Sequence, residues 1–271
     1  MTKDVWLTRH PYLQPMADLQ GRVESALRET LTVTAAIPPW DSYIVDFQNG
    51  VPLLHSSSVE IDLIPAESTL RVLLEKMVSR LPGKLAHEAT VLSTELIGEF
   101  ATPGRIADWL LDKDVYITVQ NQGLLRYLGW TALARYLRPV VDNFANWRNE
   151  ERWFRNYCPT CGSPPTMGQL VGIDPGRRRL LACGRCKSRW WFQRIGCPFC
   201  AVENGHRLRV LTVEEEGGLR IEYCNSCGGY LKTYDGQGSE SVLLADWTSI
   251  HLDLIASDRG LKRFGASLYE L

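Results

Sequence analysis

YCPTCGSPP (157–165), ACGRCKSRWWF (182–192), CPFC (197–200) and YCNSCGGYLKTYD (223–235) hold all eight cysteines of this 271-residue chain. Each cysteine belongs to a Cys-x-x-Cys pair: Cys158/Cys161, Cys183/Cys186, Cys197/Cys200 and Cys224/Cys227. Two residues between the thiols let a tight turn aim both sulfurs at one ion, with the turn's amides facing the sulfurs. Four thiolates complete a tetrahedron, so eight make two sites. One such pair is weak evidence; four with nothing left over are strong. All eight cysteines are therefore expected to be metal ligands, holding two ions per chain. Iron and zinc both accept four thiolates in tetrahedral geometry, so the ligands do not choose between them.

Spacing says which pairs belong together. Residues 162–182, 21 of them, separate the first pair from the second, and residues 201–223, 23 of them, separate the third from the fourth. Only ten residues, 187–196, lie between the second and third. The long gaps match and each accommodates a β-hairpin, so the pattern is an internal repeat of two ribbon or rubredoxin-like modules. In the first gap, Met167–Ile173 leads into the turn Asp174-Pro175-Gly176 and Arg179–Ala182 returns. In the second, Leu208–Val213 alternates, Glu214–Gly218 turns and Leu219–Tyr223 returns. Aromatic strands follow the second pair (Trp190-Trp191-Phe192) and the fourth (Tyr230–Tyr234). Modules this small lack enough core without a metal. An interleaved pairing of the knuckles is the alternative.

Other uses of cysteine fit less well. The start of the chain, Met1-Thr2-Lys3-Asp4-Val5-Trp6, shows no apolar signal segment, and no apolar run approaches the ~18 residues of a membrane span. A reducing cytoplasm and metal thiolates go together. Cys197-Pro-Phe-Cys200 alone resembles a redox dithiol, but that chemistry wants a helix after the first cysteine, and here a strand is expected. His206 is read as a turn or strand histidine rather than a ligand. His10, His55, His87 and His251 are read as structural or surface residues.

The net charge of −1 argues against a dedicated nucleic-acid or membrane binder. From Glu151 to Lys232 there are thirteen Lys/Arg against seven Asp/Glu, a surplus of six. Two divalent ions with four thiolates each carry four negative charges, which offset most of it. A zinc-ribbon nucleic-acid or transcription-associated protein is the alternative function, resting on Arg177, Arg178, Arg179, Lys187 and Arg189.

The first half carries no cysteine and reads as helical. Leu70, Leu73, Leu74, Met77, Val78 and Leu81 recur at helical spacing after Pro65, and Pro82-Gly83 stops the run. Leu85, Ala89, Leu92, Leu96 and Phe100 form a second stripe ended by Pro103-Gly104. A third helix is expected over 124–137, with Pro139 opening a fourth, and Met16–Leu31 is another. Residues 38–65 read as extended or looped. At the other end, Asp246 is expected to cap a helix bearing Trp247, Ile250, Leu254 and Ile255, with Gly260 as its stop. No phosphate loop, GxSxG or HExxH is present, and no enzyme centre is visible.

The expected fold is thus α+β: a mainly helical domain (1–155), a first metal module (156–194), a second (195–243) and a C-terminal helix (244–271). The order CPTCGSPP, LLACGRCKSRWWF, CPFC, RIEYCNSCGGYLKTYD and LLADWTSIHLDLIASDRGLKR, over Tyr157–Arg263, resembles the formate dehydrogenase accessory protein family FdhE. The resemblance implies a cytoplasmic, non-enzymatic maturation protein. Its partner would be the catalytic subunit of a molybdenum- or tungsten-dependent formate dehydrogenase, and its eight cysteines would be associated with rubredoxin-type iron. It also aligns Tyr230, Leu231 and Lys232 with the family's stretch after the last pair, and raises a binding role for them.

Overall fold

The computed structural model describes every residue except 31, 32, 82, 174, 175, 215, 217, 270 and 271. The described elements are ten α-helices, α1 (Lys3–Arg9), α2 (Gln14–Arg28), α3 (Trp40–Asn49), α4 (Ile64–Arg80), α5 (Gly83–Glu95), α6 (Arg105–Leu110), α7 (Gln122–Trp147), α8 (Glu150–Trp153), α9 (Glu240–Leu243) and α10 (Ile250–Asp258), with six strands between α8 and α9. By backbone proximity the chain forms two compact units: residues 1–13, 41–56 and 147–267, and residues 14–40 and 57–146 with the C-terminal residues from Leu268.

The helical unit is built on the apolar stripes. In α4, Pro65 sits in the first turn, where its missing N–H costs nothing, and Leu70, Leu73, Leu74 and Met77 are buried on one face. Each such side chain contributes roughly 1.5–3 kcal/mol of burial. The second stripe splits: α5 ends at Glu95, and a 3-10 turn over Glu99–Ala101 carries the chain on. Gly104, expected as part of a stop, starts the next helix instead. Its φ of +86° forms the turn into α6, and the buried Glu67 carboxylate accepts the Gly104 and Ala107 amides at 2.9 and 2.8 Å. A carboxylate from α4 therefore satisfies amides that the first turn of α6 leaves open.

Two expectations fail here. The helices expected over 124–137 and from Pro139 are one helix, α7, with Pro139 inside it. Proline removes one ladder bond and crowds the preceding turn. Burial on both sides of the break, from Leu133, Tyr136 and Leu137 to Val140, Val141 and Phe144, holds the helix together. The Ala35 amide donates to the Tyr136 carbonyl at 3.0 Å beside the break. Residues 38–65, expected as extended or looped, contain α3 and a 3-10 turn at Leu53–His55. Prolines at 38, 39, 52 and 65 bracket these short elements and hid their period. The stop expected at Pro82 and the helix end expected at Leu31 lie outside the described residues.

The other unit centres on one six-stranded sheet: β1 (Met167–Val171), β2 (Arg178–Ala182), β3 (Arg189–Phe192), β4 (Leu208–Thr212), β5 (Leu219–Cys224) and β6 (Tyr230–Asp235), in the order β3-β2-β1-β6-β5-β4. Both expected hairpins form. β1 pairs antiparallel with β2, Met167 opposite Ala182, and β4 pairs antiparallel with β5, Leu208 opposite Cys224. The turns expected at Asp174-Pro175 and around Glu215 and Gly217 fall on undescribed residues. The join between the modules is the parallel pair β1–β6, with Met167 beside Lys232. Two ribbons thus share one sheet, and β6 becomes a central strand buried at five of its six positions.

That burial explains Lys232, which is fully buried. Its ammonium reaches Asp246 Oδ1 at 2.7 Å and Asp253 Oδ2 at 2.8 Å, and donates to the Asp246 and Ser249 carbonyls. Arg263 closes the square, 2.6 Å from each carboxylate, and Ser267 and Tyr230 donate to Asp246 and Asp253. Asp246 therefore caps no helix through its side chain. A 3-10 turn runs over Asp246–Ser249, and α10 starts after Ser249. Tyr230, Leu231 and Lys232 are all buried within the unit, so a direct binding role for this stretch is not what the fold provides.

Candidate metal centres

The structure gathers the first pair with the second and the third with the fourth. In each group the four sulfurs lie within 4.8 Å of one another. In the first, Cys158 Sγ is 3.4 Å from Cys186 Sγ, and Cys161 Sγ is 3.5 Å from Cys183 Sγ. In the second, Cys197–Cys227 is 3.7 Å and Cys200–Cys224 is 3.8 Å. A tetrahedron with metal–sulfur bonds of about 2.3 Å has edges of about 3.8 Å, so both groups could hold one ion each with little movement. All eight cysteines are free.

The same local turn aims every pair. The first cysteine's carbonyl accepts an amide four residues on, from Gly162 in the first pair, Ala201 in the third and Gly228 in the fourth. Amides two residues after a cysteine point at its sulfur: Thr160 to Cys158, Phe199 to Cys197, Ser226 to Cys224 and Gly229 to Cys227, at 3.3–3.4 Å. Such bonds stabilise thiolate. The residue after each second cysteine is left-handed: Gly162, Lys187, Ala201 and Gly228, at φ of +74°, +66°, +56° and +72°. Glycine adopts that conformation freely, whereas alanine or lysine is strained there by about 1 kcal/mol or more. Ala201→Gly is accordingly expected to raise stability by roughly 0.5–1 kcal/mol, read as a higher denaturation midpoint of the metal-loaded protein.

The thiols are electrostatically unequal. Burial pushes Cys158 and Cys186 up, while hydrogen bonds from Cys158, Cys161 and Cys186 hold Cys183 well down. In the second cluster burial pushes Cys197 up. Burial also acts to raise Cys224, but the amides of Cys227 and Ser226 outweigh it and bring the thiol down to about 7. Cys183 and Cys224 are thus biased toward thiolate, and an incoming cation displaces the protons that the clusters still hold.

Exposure separates the clusters further. All four cysteines of the first are buried, and Thr160 and Ser188 tie its two knuckles by a 2.6 Å hydroxyl contact. In the second, Cys200 is exposed and Cys227 half-buried. A cavity of about 220 Å³ opens beside it, lined by Ile195, Pro198, Phe199 and Val210, with Arg179 and Glu222 in its wall. A competing chelator is therefore expected to strip the second cluster first. Alkylation followed by peptide mass mapping should mark Cys200 and Cys227 in the fast phase and Cys158 and Cys161 only in the slow one.

Residues outside the thiols fall into place as well. His206 sits in a 3-10 turn capped by Asn204 and joins neither cluster. The segment after Cys200 forms that turn and then β4, so Cys197 heads no helix. Of the basic residues, Arg179 is buried against Glu222 at 2.7 Å and the Gly196 carbonyl at 2.8 Å. Arg177 pairs with Asp235, Arg189 with Gln169, and Arg178 lies over the Trp191 ring. Sequence reasoning missed one grouping: His10, Glu216 and His251 bring their ligand atoms within 4.8 Å of one another. Their separation along the chain left no local pattern to see.

No protein-family model matches the chain. It is 32% identical over 133 residues to a protein FdhE homolog of Aquifex aeolicus, an alignment covering 47% of each chain. A Pseudomonas aeruginosa FdhE homolog is 37% identical over 120 residues, 40% of this chain and 38% of that one. A Haemophilus influenzae FdhE homolog is 27% identical over 232 residues, 83% of this chain and 65% of its own length. Over these stretches the chain is similar to FdhE proteins. The alignments span 47%, 38% and 65% of these three relatives' lengths. The crystal structure of the FdhE protein from Pseudomonas aeruginosa shares the fold, with a TM-score of 0.59 at 23% identity over 95% of this chain and 88% of that one. No described helix of this chain is long and apolar enough to cross a membrane.

Proposed function

We propose that the chain is a cytoplasmic accessory protein for a molybdenum- or tungsten-dependent formate dehydrogenase, which binds the catalytic subunit and supports formation of active enzyme without catalysing a reaction itself. Kinship with FdhE proteins carries this reading. Cys158, Cys161, Cys183 and Cys186 hold one metal ion, and Cys197, Cys200, Cys224 and Cys227 the other. The metals act as staples for a sheet whose two halves are too small to fold on apolar burial alone. The basic residues favour a protein partner over nucleic acid, because Arg177 and Arg179 are paired with carboxylates inside the unit and leave little charge to meet phosphates.

The test is anoxic affinity capture of the tagged chain from its native cells grown with formate, read by mass spectrometry. The expected result is enrichment of a formate dehydrogenase catalytic subunit that disappears when Cys158 and Cys161 are changed to alanine. Enrichment of RNA polymerase or ribosomal components in its place would overturn the reading.

A further inference from the structure

His10 at the end of the first helix, Glu216 between β4 and β5, and His251 on α10 meet at a cluster that contains no cysteine. His10 Nε2 stands 3.3 Å from each oxygen of the Glu216 carboxylate, and His251 Nε2 stands 2.7 Å from Glu216 Oε2. The three side chains are 6%, 10% and 13% exposed. The imidazoles stack with centroids 5.1 Å apart, Trp6 stacks on His10 at 3.9 Å and lies 6.5 Å from His251, and Tyr12 meets both imidazoles edge-on.

The protonation of His10 is fixed on one side. Its Nδ1 is 3.0 Å from the Trp6 carbonyl, which can only accept, so Nδ1 carries the hydrogen. A neutral His10 therefore turns a bare Nε2 lone pair toward two carboxylate oxygens, an arrangement that needs a cation between them. That cation is either a second proton on His10 or a metal. The spacing fits the metal: ligands on bonds of about 2.0–2.1 Å around a tetrahedral ion stand about 3.3–3.4 Å apart. An imidazole that donates its other N–H to a backbone carbonyl is also the usual support of a metal-bound histidine.

We infer that His10, Glu216 and His251 form a third metal site, for a divalent first-row transition ion. Two imidazoles and a carboxylate are the donor set of three-ligand zinc sites and of non-haem iron(II) sites, with at least one position left for water or another ligand. It is a harder set than the eight thiolates. On binding, His251 carries its ring hydrogen on Nδ1 in place of Nε2, and its contact to Glu216 opens by about half an ångström to reach the tetrahedral spacing. The ion would then tie the end of the N-terminal helix to Glu216 and to α10.

Cobalt(II) titration of the full chain, with both thiolate clusters already loaded with zinc, tests the inference. The expected result is one further equivalent of tightly held cobalt, three metal ions per chain in all, with a visible d–d band and no added thiolate-to-metal charge transfer. Glu216→Gln and His10→Asn keep size and hydrogen-bonding groups, and each should weaken that binding by 100-fold or more while leaving the two zinc ions and the far-ultraviolet circular dichroism unchanged. A total that stays at two, or a third equivalent that survives both substitutions, would overturn the site and show the cluster to be held by protons alone.

Discussion

Changing Cys158 and Cys161 together to alanine is expected to halve the metal content of the protein and to unfold the β1–β3 half of the sheet. The first cluster is buried throughout and sits where the chain enters β1 and leaves β2. The apolar side chains buried in β1–β3, among them Met167, Leu181 and Trp190, belong to a module too small to fold on apolar burial alone. The apparent binding free energy of a four-ligand structural metal is about 10–16 kcal/mol, comparable to the whole net stability of a typical domain, about 5–15 kcal/mol. Loss of one ion thus exceeds what the module can absorb. Elemental analysis and hydrogen exchange over residues 167–192 check it: one ion per chain with deprotected β1–β3 amides is expected, and two ions with unchanged protection would refute the stapling role. Because β1 also pairs with β6, loosening should spread into the second half of the sheet without releasing its metal.

The second large effect is expected at Lys232, far from any thiol in chemistry. Lys232→Met keeps the length and apolar stem of the side chain but leaves Asp246 and Asp253 with Arg263 as their remaining cation. Removing one member of a buried ion cluster typically costs about 3–5 kcal/mol, because the remaining charge is stranded. Urea denaturation of the metal-loaded protein at pH 7 should show a loss of that size, whereas replacing an exposed lysine such as Lys84, whose ammonium pairs with Glu88 at the surface, should cost well under 1 kcal/mol. The pH dependence has a definite sign. Burial by itself would raise Asp246, but Lys232 and Arg263 outweigh it and hold the carboxyl below the usual carboxylate range. A depressed carboxyl contributes stability above its unfolded value of about 3.9, and that contribution is lost as the pH falls through and below it. In the variant Asp246 loses a cation and protonates sooner, so the penalty of Lys232→Met should shrink between pH 6 and pH 3. A penalty independent of pH over that range would show it to come from packing rather than charge.

These two effects sit at opposite ends of what a sequence can disclose. The thiol clusters were legible because metal ligation imposes a local constraint: two residues between sulfurs and a hairpin-sized gap before the next pair. The matched gaps gave the order of pairing and both hairpins. The α4 stripe was legible for a similar reason, since its period of 3.6 is written in adjacent turns. Pro139 misled because a proline's local cost was weighed without the buried residues on both sides that keep α7 continuous.

What the sequence determined by itself, then, was chemistry set by neighbours a few residues apart: two four-thiolate clusters, two hairpins, and a helical, cysteine-free first half. Tertiary structure alone decided what depends on residues meeting from distant positions. Parallel pairing of β1 with β6 fused two ribbons into one sheet, buried β6, and so made Lys232 the centre of an ion cluster. The same folding carried His10 to Glu216 and His251 across more than two hundred residues of chain. Ligand spacing is a property of a turn and survives in a linear string. Burial, charge pairing and long-range encounters are properties of the packed chain, and no window along the sequence contains them.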